Sequence, residues 1–385
     1  MFEIVDSQGA GPVIKVVGVG GAGGNAVNHM IEKGVAGVEF IAVNTDAQVL
    51  ARNNARNQIQ LGTTGLGSGA RPEEARQVAL ADRDRLEEAI AGAHMVFITA
   101  GMGGGTGTGA APVIAEVARA LGVLTVAVIT KPFAFEGTRR MRVAEEGMQE
   151  LSKHVDSLIV VLNDKLEEVL GEDVTMDEAF RAADDVLNNA VAGIAEIINC
   201  PGLINVDFQD VRTVMCEQGM AMMGSAVANG IDRANIAAEQ AVASPLLEGV
   251  QLAGARGVLV NITATRESLR HGEVKAVMNT IRSFAADDAT IIFGAVYDAE
   301  MGEDLRVTVV ATGLGTPVAV RQPKPQLVMS QKTGTDNQPV GGAVDYTQLD
   351  APAVIRKNRA SQVEALQQSG MEKYDIPAFL RKQAD

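Results

Sequence analysis

Between residues 13 and 163 five short apolar runs recur: VIKVVGVG, EFIAVNT, MVFIT, LTVAVIT and SLIVVLN. They are continuous or nearly so, rather than alternating, which predicts strands buried on both faces of a parallel sheet. Amphipathic stretches such as EEARQVALADRDRLEEAI lie between them and read as helices. Alternation of this kind implies a doubly wound α/β domain with ligands outside the carboxyl ends of its strands. From Thr175 to about Asn199 the period lengthens. Ala179, Phe180, Ala183, Val186, Leu187, Val191, Ile194, Ile197 and Ile198 recur at steps of three and four residues, predicting one long helix. TMDE supplies a capping-box start and CPG at 200–202 a stop. A helix so apolar over so much of its surface is expected between two domains. Further on, MAMMGSAVA, GVLVNIT, TIIFGAVY and RVTVVATG, with helices near 233–243 and 272–284, make a second, α+β domain.

After Gly315 the periodicity stops. Residues 317–370, rich in Gln, Pro, Gly, Thr and Asn, read as a disordered linker. The closing MEKYDIPAFLRKQAD differs again, because Tyr374, Ile376, Phe379 and Leu380 are apolar anchors in a polar tail, a composition suited to folding on a partner's groove. The expected organisation is a flexible N-terminus (1–11), a Rossmann-like nucleotide domain (12–174), a central helix (175–202), an α+β domain (203–316), the linker (317–370) and a docking peptide (371–385).

Composition narrows the classes. A chain of 385 residues, 46% hydrophobic, with a net charge of −15, reads as a soluble globular protein with no nucleic-acid partner. No run approaches the roughly 18 apolar residues of a membrane span, and MFEIVDSQGA lacks the features of a signal peptide. A cytoplasmic protein without direct membrane insertion is expected. Its only cysteines, Cys200 and Cys216, suit a reducing compartment, and its four histidines have no metal-ligand spacing.

Any bound anion must therefore be held by something other than a basic patch. In AGMGGGTGTGAAP, residues 100–112, positions 103–109 hold five glycines and two threonines between a strand and a helix. Bare backbone amides at a helix N-terminus favour an anion, and Thr106 and Thr108 add hydroxyls. Lysine is missing, so this is not the P-loop of GxxxxGK[ST]. A second loop, VIKVVGVGGAGGNAV, formally matches the dinucleotide fingerprint with Gly18, Gly20 and Gly23. That fingerprint wants an acidic residue about 20 positions on, and Asp46 of NTD comes late. An NAD-dependent oxidoreductase would leave the 103–109 loop without a role. Two phosphate-cradling loops suit a triphosphate held from both sides. A scaffold that binds the nucleotide without hydrolysing it is the other competitor.

GGGTGTG at 103–109 resembles the signature of the tubulin/FtsZ GTPases, and GVGGAGGNAVN with NTD resembles the bacterial cell-division branch of that family. The resemblance runs from residue 12 to 316 and resumes in DIPAFLRKQAD. It implies GTP/GDP as ligand, with Gly20, Gly21, Ala22, Gly23, Gly24 and Asn25 around the phosphates from one side and Gly104, Gly105, Thr106, Gly107 and Thr108 from the other. Asp46 joins these contacts, and Glu136 and Arg140 hold ribose and phosphate. Phe180 stacks near the base, while Asn163 and Asp184 hydrogen-bond it. A carboxylate accepts from guanine N1–H and N2–H together, which adenine cannot offer. One departure stands out: GLGSGARPE carries Arg71 where the family often has Asn.

In that family the loop bearing Asn205, Asp207 and Asp210 activates the attacking water; by itself Asp207 also reads as a helix N-cap. The span from Asp184 to Asn199 alone is on the order of 20 Å. Nucleotide and carboxylates therefore fall at opposite ends of one molecule, and carboxylates inside a triphosphate pocket would repel their ligand. Both difficulties vanish if the aspartates of one subunit meet the GTP of the next, a head-to-tail contact that makes a filament. The resemblance implies Mg²⁺ on the phosphates, a cytokinetic ring at midcell on the inner face of the membrane, and division-site regulators as partners. It also implies tethers such as FtsA and ZipA, docked by Tyr374, Asp375, Ile376, Pro377, Phe379 and Leu380.

Overall fold

A computed structural model describes residues 11–314, apart from 172, 200–203, 205, 218–219, 245–254 and 287. Asn205, residues 1–10, the expected linker (317–370) and the docking peptide with Tyr374, Asp375, Ile376, Pro377, Phe379 and Leu380 lie outside the described residues. The described strands are β1 (Ile14–Val19), β2 (Val38–Asn44), β3 (Asn57–Gln60), β4 (Met95–Gly101), β5 (Leu124–Lys131), β6 (Ser157–Leu162), β7 (Met220–Ala228), β8 (Gly257–Ala264), β9 (Thr290–Tyr297) and β10 (Leu305–Leu314). They form one ten-stranded sheet in the order β3-β2-β1-β4-β5-β6-β7-β10-β8-β9. Pairing is parallel from β3 through β7, antiparallel on both sides of β10, and parallel again between β8 and β9.

The described helices are α1 (Gly20–Glu32), α2 (Ala47–Leu50), α3 (Pro72–Ala81), α4 (Arg83–Ile90), α5 (Thr106–Ala120), α6 (Thr138–Leu151), α7 (Asn163–Leu170), α8 (Met176–Asn199), α9 (Phe208–Met215), α10 (Arg233–Val242) and α11 (His271–Phe284). Strand alternation splits the core between the two faces of the sheet. Ile14 and Val16 of β1 join α1, α8 and α9 in one cluster. Val17 and Val19 join α4, α5 and α6 in the other. A third cluster covers β8 and β10 with α10 and α11. The long helix α8 begins as its sequence predicts, with Thr175 Oγ1 accepting from Glu178 N–H and Glu178 accepting in return from Thr175 N–H at 2.8 Å. Its apolar face, from Ala183 through Leu187 and Ile194 to Ile197, packs in the same cluster as Val128 and Ile159 of the parallel strands and Leu259 and Val310 of the antiparallel region.

Two elements differ from the sequence reading. The stretch read as one helix around 73–90 is two, broken at Asp82, whose carboxylate accepts from Gly62 N–H at 2.7 Å and so anchors the break to the strand side. The edge strand β3, with only Ile59 buried among its four residues, has no apolar run to announce it.

Candidate functional site

β1 and β4 are parallel neighbours, and the helices that follow them, α1 and α5, pack on opposite faces of the sheet. The crevice between such divergent crossovers is where an open α/β sheet binds ligands. A cavity of about 850 Å³ opens there. Gly21 and Ala22 line it from the start of α1, and Gly103 to Gly107 line it from the loop into α5. Thr45 and Asp46 follow β2, the segment Gly67–Arg71 closes a third side, and Glu136, Arg139 and Arg140 close the fourth. Neither α1 nor α5 has a side-chain N-cap or an acidic residue in its first turn. Two uncapped N-termini with their amides aimed at one cavity make an anion site without needing a lysine.

The glycines divide into two groups. Gly20, at φ +75°, lies so close to the second loop that a Cβ there would stand 3.0 Å from Gly107 N, and a Cβ at Gly107 would stand 2.5 Å from the Gly101 carbonyl. The first position lets the two loops touch, and the second lets the start of α5 pack back on the end of β4. Gly21 and Gly104 instead have nothing within 4 Å of the Cβ position and face open space. Gly23 and Gly24 are buried in the first turns of α1, behind the cavity wall.

Hydroxyls tie the loops together. Thr106 Oγ1 lies 2.7 Å from Thr45 Oγ1 and 3.3 Å from Ser68 Oγ. Thr108 is buried, and its hydroxyl accepts from Gly103 N–H at 2.9 Å, so it shapes the loop from within. Asp46 caps α2, accepting from Gln48 N–H and Val49 N–H. Arg71 pairs with Glu74 and lines the cavity. Thr45, Ser68 and Arg139 were not singled out by the sequence. Thr45 sits inside the quoted NTD, and the other two gave no signal beyond nearness to a loop.

A second group leads away from the cavity. Arg140 and Glu136 form an ion pair at 3.0 Å, and Glu136 also accepts from Phe133 N–H at 2.9 Å. The Phe133 ring stacks on Phe135 at 5.1 Å and meets Phe180 edge-on at 5.5 Å. Phe180 and Phe135 remain exposed on their other sides, as a platform for a flat ring would. Asn163 is buried, with its Oδ1 unpartnered among the described residues. Asp184, one turn after Phe180 on α8, is half-buried. Burial pushes its carboxyl up to about 6, with His29 pulling it down and Asp185 pushing it further up. Asn25, Asn163, Phe180 and Asp184 do not line the cavity itself.

Asp207 and Asp210 are absent from the cavity wall. Asp207 is the N-cap of α9, with Oδ1 accepting from Asp210 N–H at 2.8 Å, so the capping role is realised; both residues are exposed. Phe208, between them, meets the ring of His94 edge-on at 6.2 Å. His94 immediately precedes β4, and Gly101 at the other end of β4 lines the cavity. A strand of that length spans about 20 Å. One strand therefore has the glycine cavity at its carboxyl end and the aspartate loop at its amino end.

Comparisons with known proteins identify the family. A profile described as the Tubulin/FtsZ family GTPase domain matches residues 13–171, and one described as the FtsZ family C-terminal domain matches residues 219–315. The chain is 53% identical to the cell division protein FtsZ of Pseudomonas putida, with all of both chains covered. It is 52% identical to that of Coxiella burnetii, with 99% of each covered. Among solved structures, an empty FtsZ dimer from M. jannaschii superposes with a TM-score of 0.76 at 42% identity, covering 80% of this chain and 89% of that one. CetZ2 from Haloferax volcanii, solved as a GTPγS-bound protofilament, shares the fold alone, with a TM-score of 0.65 at 21% identity over 78% of this chain and 93% of that one.

Proposed function

This chain belongs to the FtsZ branch of the tubulin/FtsZ family of GTPases, and from that premise we propose how its residues divide the work of a polymerising cell-division GTPase. The triphosphate lies across the N-termini of α1 and α5, with Gly21 and Gly104 leaving room for it and Arg139 and Arg140 countering its charge. Glu136 receives the ribose, Phe180 stacks on the base, and Asn163 and Asp184 read its edge. The unpartnered Oδ1 of Asn163 supports that role, because a buried acceptor without a donor costs on the order of 1–3 kcal/mol until a ligand supplies one.

Hydrolysis belongs to the contact between subunits. The observation that carries this is the separation of the two half-sites by the length of β4, with neither Asp207 nor Asp210 on the cavity wall. In a head-to-tail filament the α9 end of one subunit closes the cavity of the next. Asp207 keeps one oxygen on the Asp210 amide, and its other oxygen has no partner among the described residues, so it can orient and polarise the attacking water, with Asp210 beside it. The family role of Asn205 falls in the same loop.

The metal ion would arrive on the nucleotide's own oxygens. Mg²⁺ bound there, near the Thr45 and Thr106 hydroxyls, would neutralise the β- and γ-phosphate oxygens. The assembled filament forms the division ring at midcell on the inner face of the membrane. Among the described residues no helix is long and apolar enough to cross a membrane, and residues 371–385 dock on tethers such as FtsA and ZipA.

Two inactive variants test the shared site. Asp210→Ala leaves the cavity intact and loses the carboxylate; Gly104→Asp keeps the carboxylate and places a charge where phosphate sits. Each alone should lose GTP turnover by about 10²–10³-fold. An equimolar mixture should recover a substantial fraction, because a D210A pocket then meets a G104D loop. A mixture as inactive as its components, although both variants co-sediment, would place the complete site within one subunit.

A further inference from the structure

The α1 helix carries a polar stripe that the nucleotide reading uses only in part. Gly21, Asn25 and His29 follow at four-residue steps, and the helix ends on Lys33, four further on. Gly21 lines the phosphate cavity. One turn beyond Asn25, His29 Nε2 lies 2.7 Å from Asp185 Oδ1 on α8, and Lys33 Nζ lies 3.7 Å from the same oxygen. Asp185 is the chain neighbour of Asp184. His29 is largely buried, with 18% of its side chain exposed, while Asp185 is 48% exposed. The helix whose N-terminus meets phosphate is thus pinned to the helix that carries the base-reading carboxylate, next to that carboxylate.

We propose that His29 is a positioning residue for guanine recognition: through Asp185 it fixes α8 against α1, and so holds the neighbouring Asp184 carboxylate where it receives guanine N1–H and N2–H. This rests on the reading that Asp184 contacts the base. The environment of Asp184 makes the need plain. Burial disfavours its charge, Asp185 on the same helix repels it, and His29 is the group that favours it. The other charged groups nearby are Lys33 on α1, already directed at Asp185, and those of α7, which packs against α8. There Asp164 is engaged by Ala134 N–H at 2.8 Å, and Lys165 makes contacts of its own. Without His29, Asp184 would keep both unfavourable influences and lose the favourable one.

The test is nucleotide binding to the full chain, below its assembly concentration, from pH 5 to 8.5. GTP is compared with ITP, which keeps N1–H and lacks the 2-amino group. For the unaltered protein, GTP affinity should hold above pH 7 and fall as pH drops through about 6, where Asp184 gains its proton. His29→Gln keeps an N–H donor for Asp185 and with it the link between α1 and α8. It should keep the GTP-to-ITP preference at pH 7 within about twofold of that of the unaltered protein. His29→Ala, which loses the pin, should bring the preference close to one. Asp185→Asn should also reduce it, by loosening α8. If H29A, shown folded by its thermal melt, retains the GTP-to-ITP preference of the unaltered protein, the proposal is overturned. Failure of the underlying reading looks different: Asp184→Asn would then leave the GTP-to-ITP preference unchanged.

Discussion

At the carboxyl ends of β1 and β4 the chain presents backbone amides, hydroxyls and arginines; at the amino end of β4 it presents two exposed aspartates and an aromatic contact. The first surface attracts a polyanion, and its two carboxylates are already engaged, Asp46 in capping α2 and Glu136 with Arg140. The second has the carboxylates and no place for a polyanion. Placed together in one pocket, the aspartates would oppose the phosphates; about 20 Å apart, each end can be built for its own task. The cost of the separation is that neither end is sufficient. Catalysis then reports on assembly, which suits a GTPase whose filament must turn over.

The pocket end can be broken in two distinguishable ways. Gly107→Ala pushes a Cβ to within 2.5 Å of the Gly101 carbonyl, where backbone on both sides resists. It should cost about 2–3 kcal/mol of stability, read by denaturant unfolding, and disturb nucleotide binding with it. Gly21→Ala meets nothing within 4 Å. It should change stability by less than about 0.5 kcal/mol and still weaken GTP binding severalfold, because the methyl occupies ligand space. If G107A melts like the unaltered protein, the start of α5 does not lie as close to the end of β4 as argued. Equal GTP affinity in G21A would move the phosphates away from α1.

Asp184 gives a smaller and pH-dependent effect. Its carboxyl is raised from 3.8 to about 6 in the folded protein, chiefly by burial. A raised folded pKa means the stabilisation is full below about 4 and is lost as pH rises through about 6. At pH 8 the ionised group therefore opposes folding, by at most about 3 kcal/mol and less where solvent screens it. Asp184→Asn should raise the melting temperature of the nucleotide-free protein at pH 8, and the gain should disappear near pH 4. A gain independent of pH would mean that something other than the carboxylate charge is responsible. Stability given up at Asp184 fits its proposed base-reading role, since holding a charge ready for a ligand ordinarily costs stability.

How much of this was legible depended on how locally each feature is encoded. Strands buried on both faces must be apolar throughout, so β1, β4 and β5 announce themselves, whereas NQIQ of β3 needs only Ile59 to face the core. The break at Asp82 needs no proline or glycine because Gly62, twenty residues away, supplies its hydrogen bond. At the site, the glycine loops were readable because a run of Gly and Thr has few other uses. The sorting of Gly20 and Gly107 from Gly21 and Gly104 was not, since it depends on which backbone lies opposite. The inward turn of the Thr108 hydroxyl and the link from Thr45 to Thr106 are long-range facts of the same kind.

The aspartate end yields the mildest test and the one most specific to the comparison. His94 accepts from Val13 N–H through Nδ1 at 3.0 Å and offers its ring edge-on to Phe208, the residue that follows the Asp207 cap. Such an aromatic contact is worth about 0.5–1.5 kcal/mol beyond burial. His94→Ala should therefore cost about 1 kcal/mol of stability and loosen the start of α9. Because His94 stands a full strand length from the cavity, GTP affinity of the unassembled protein should not change, while turnover in filaments falls by a few fold. The two quantities are read separately, by equilibrium binding below the assembly threshold and by phosphate release above it. An equal loss in both would mean that disturbance travels along β4 from one half-site to the other, and that the two ends are coupled within a subunit as well as between subunits.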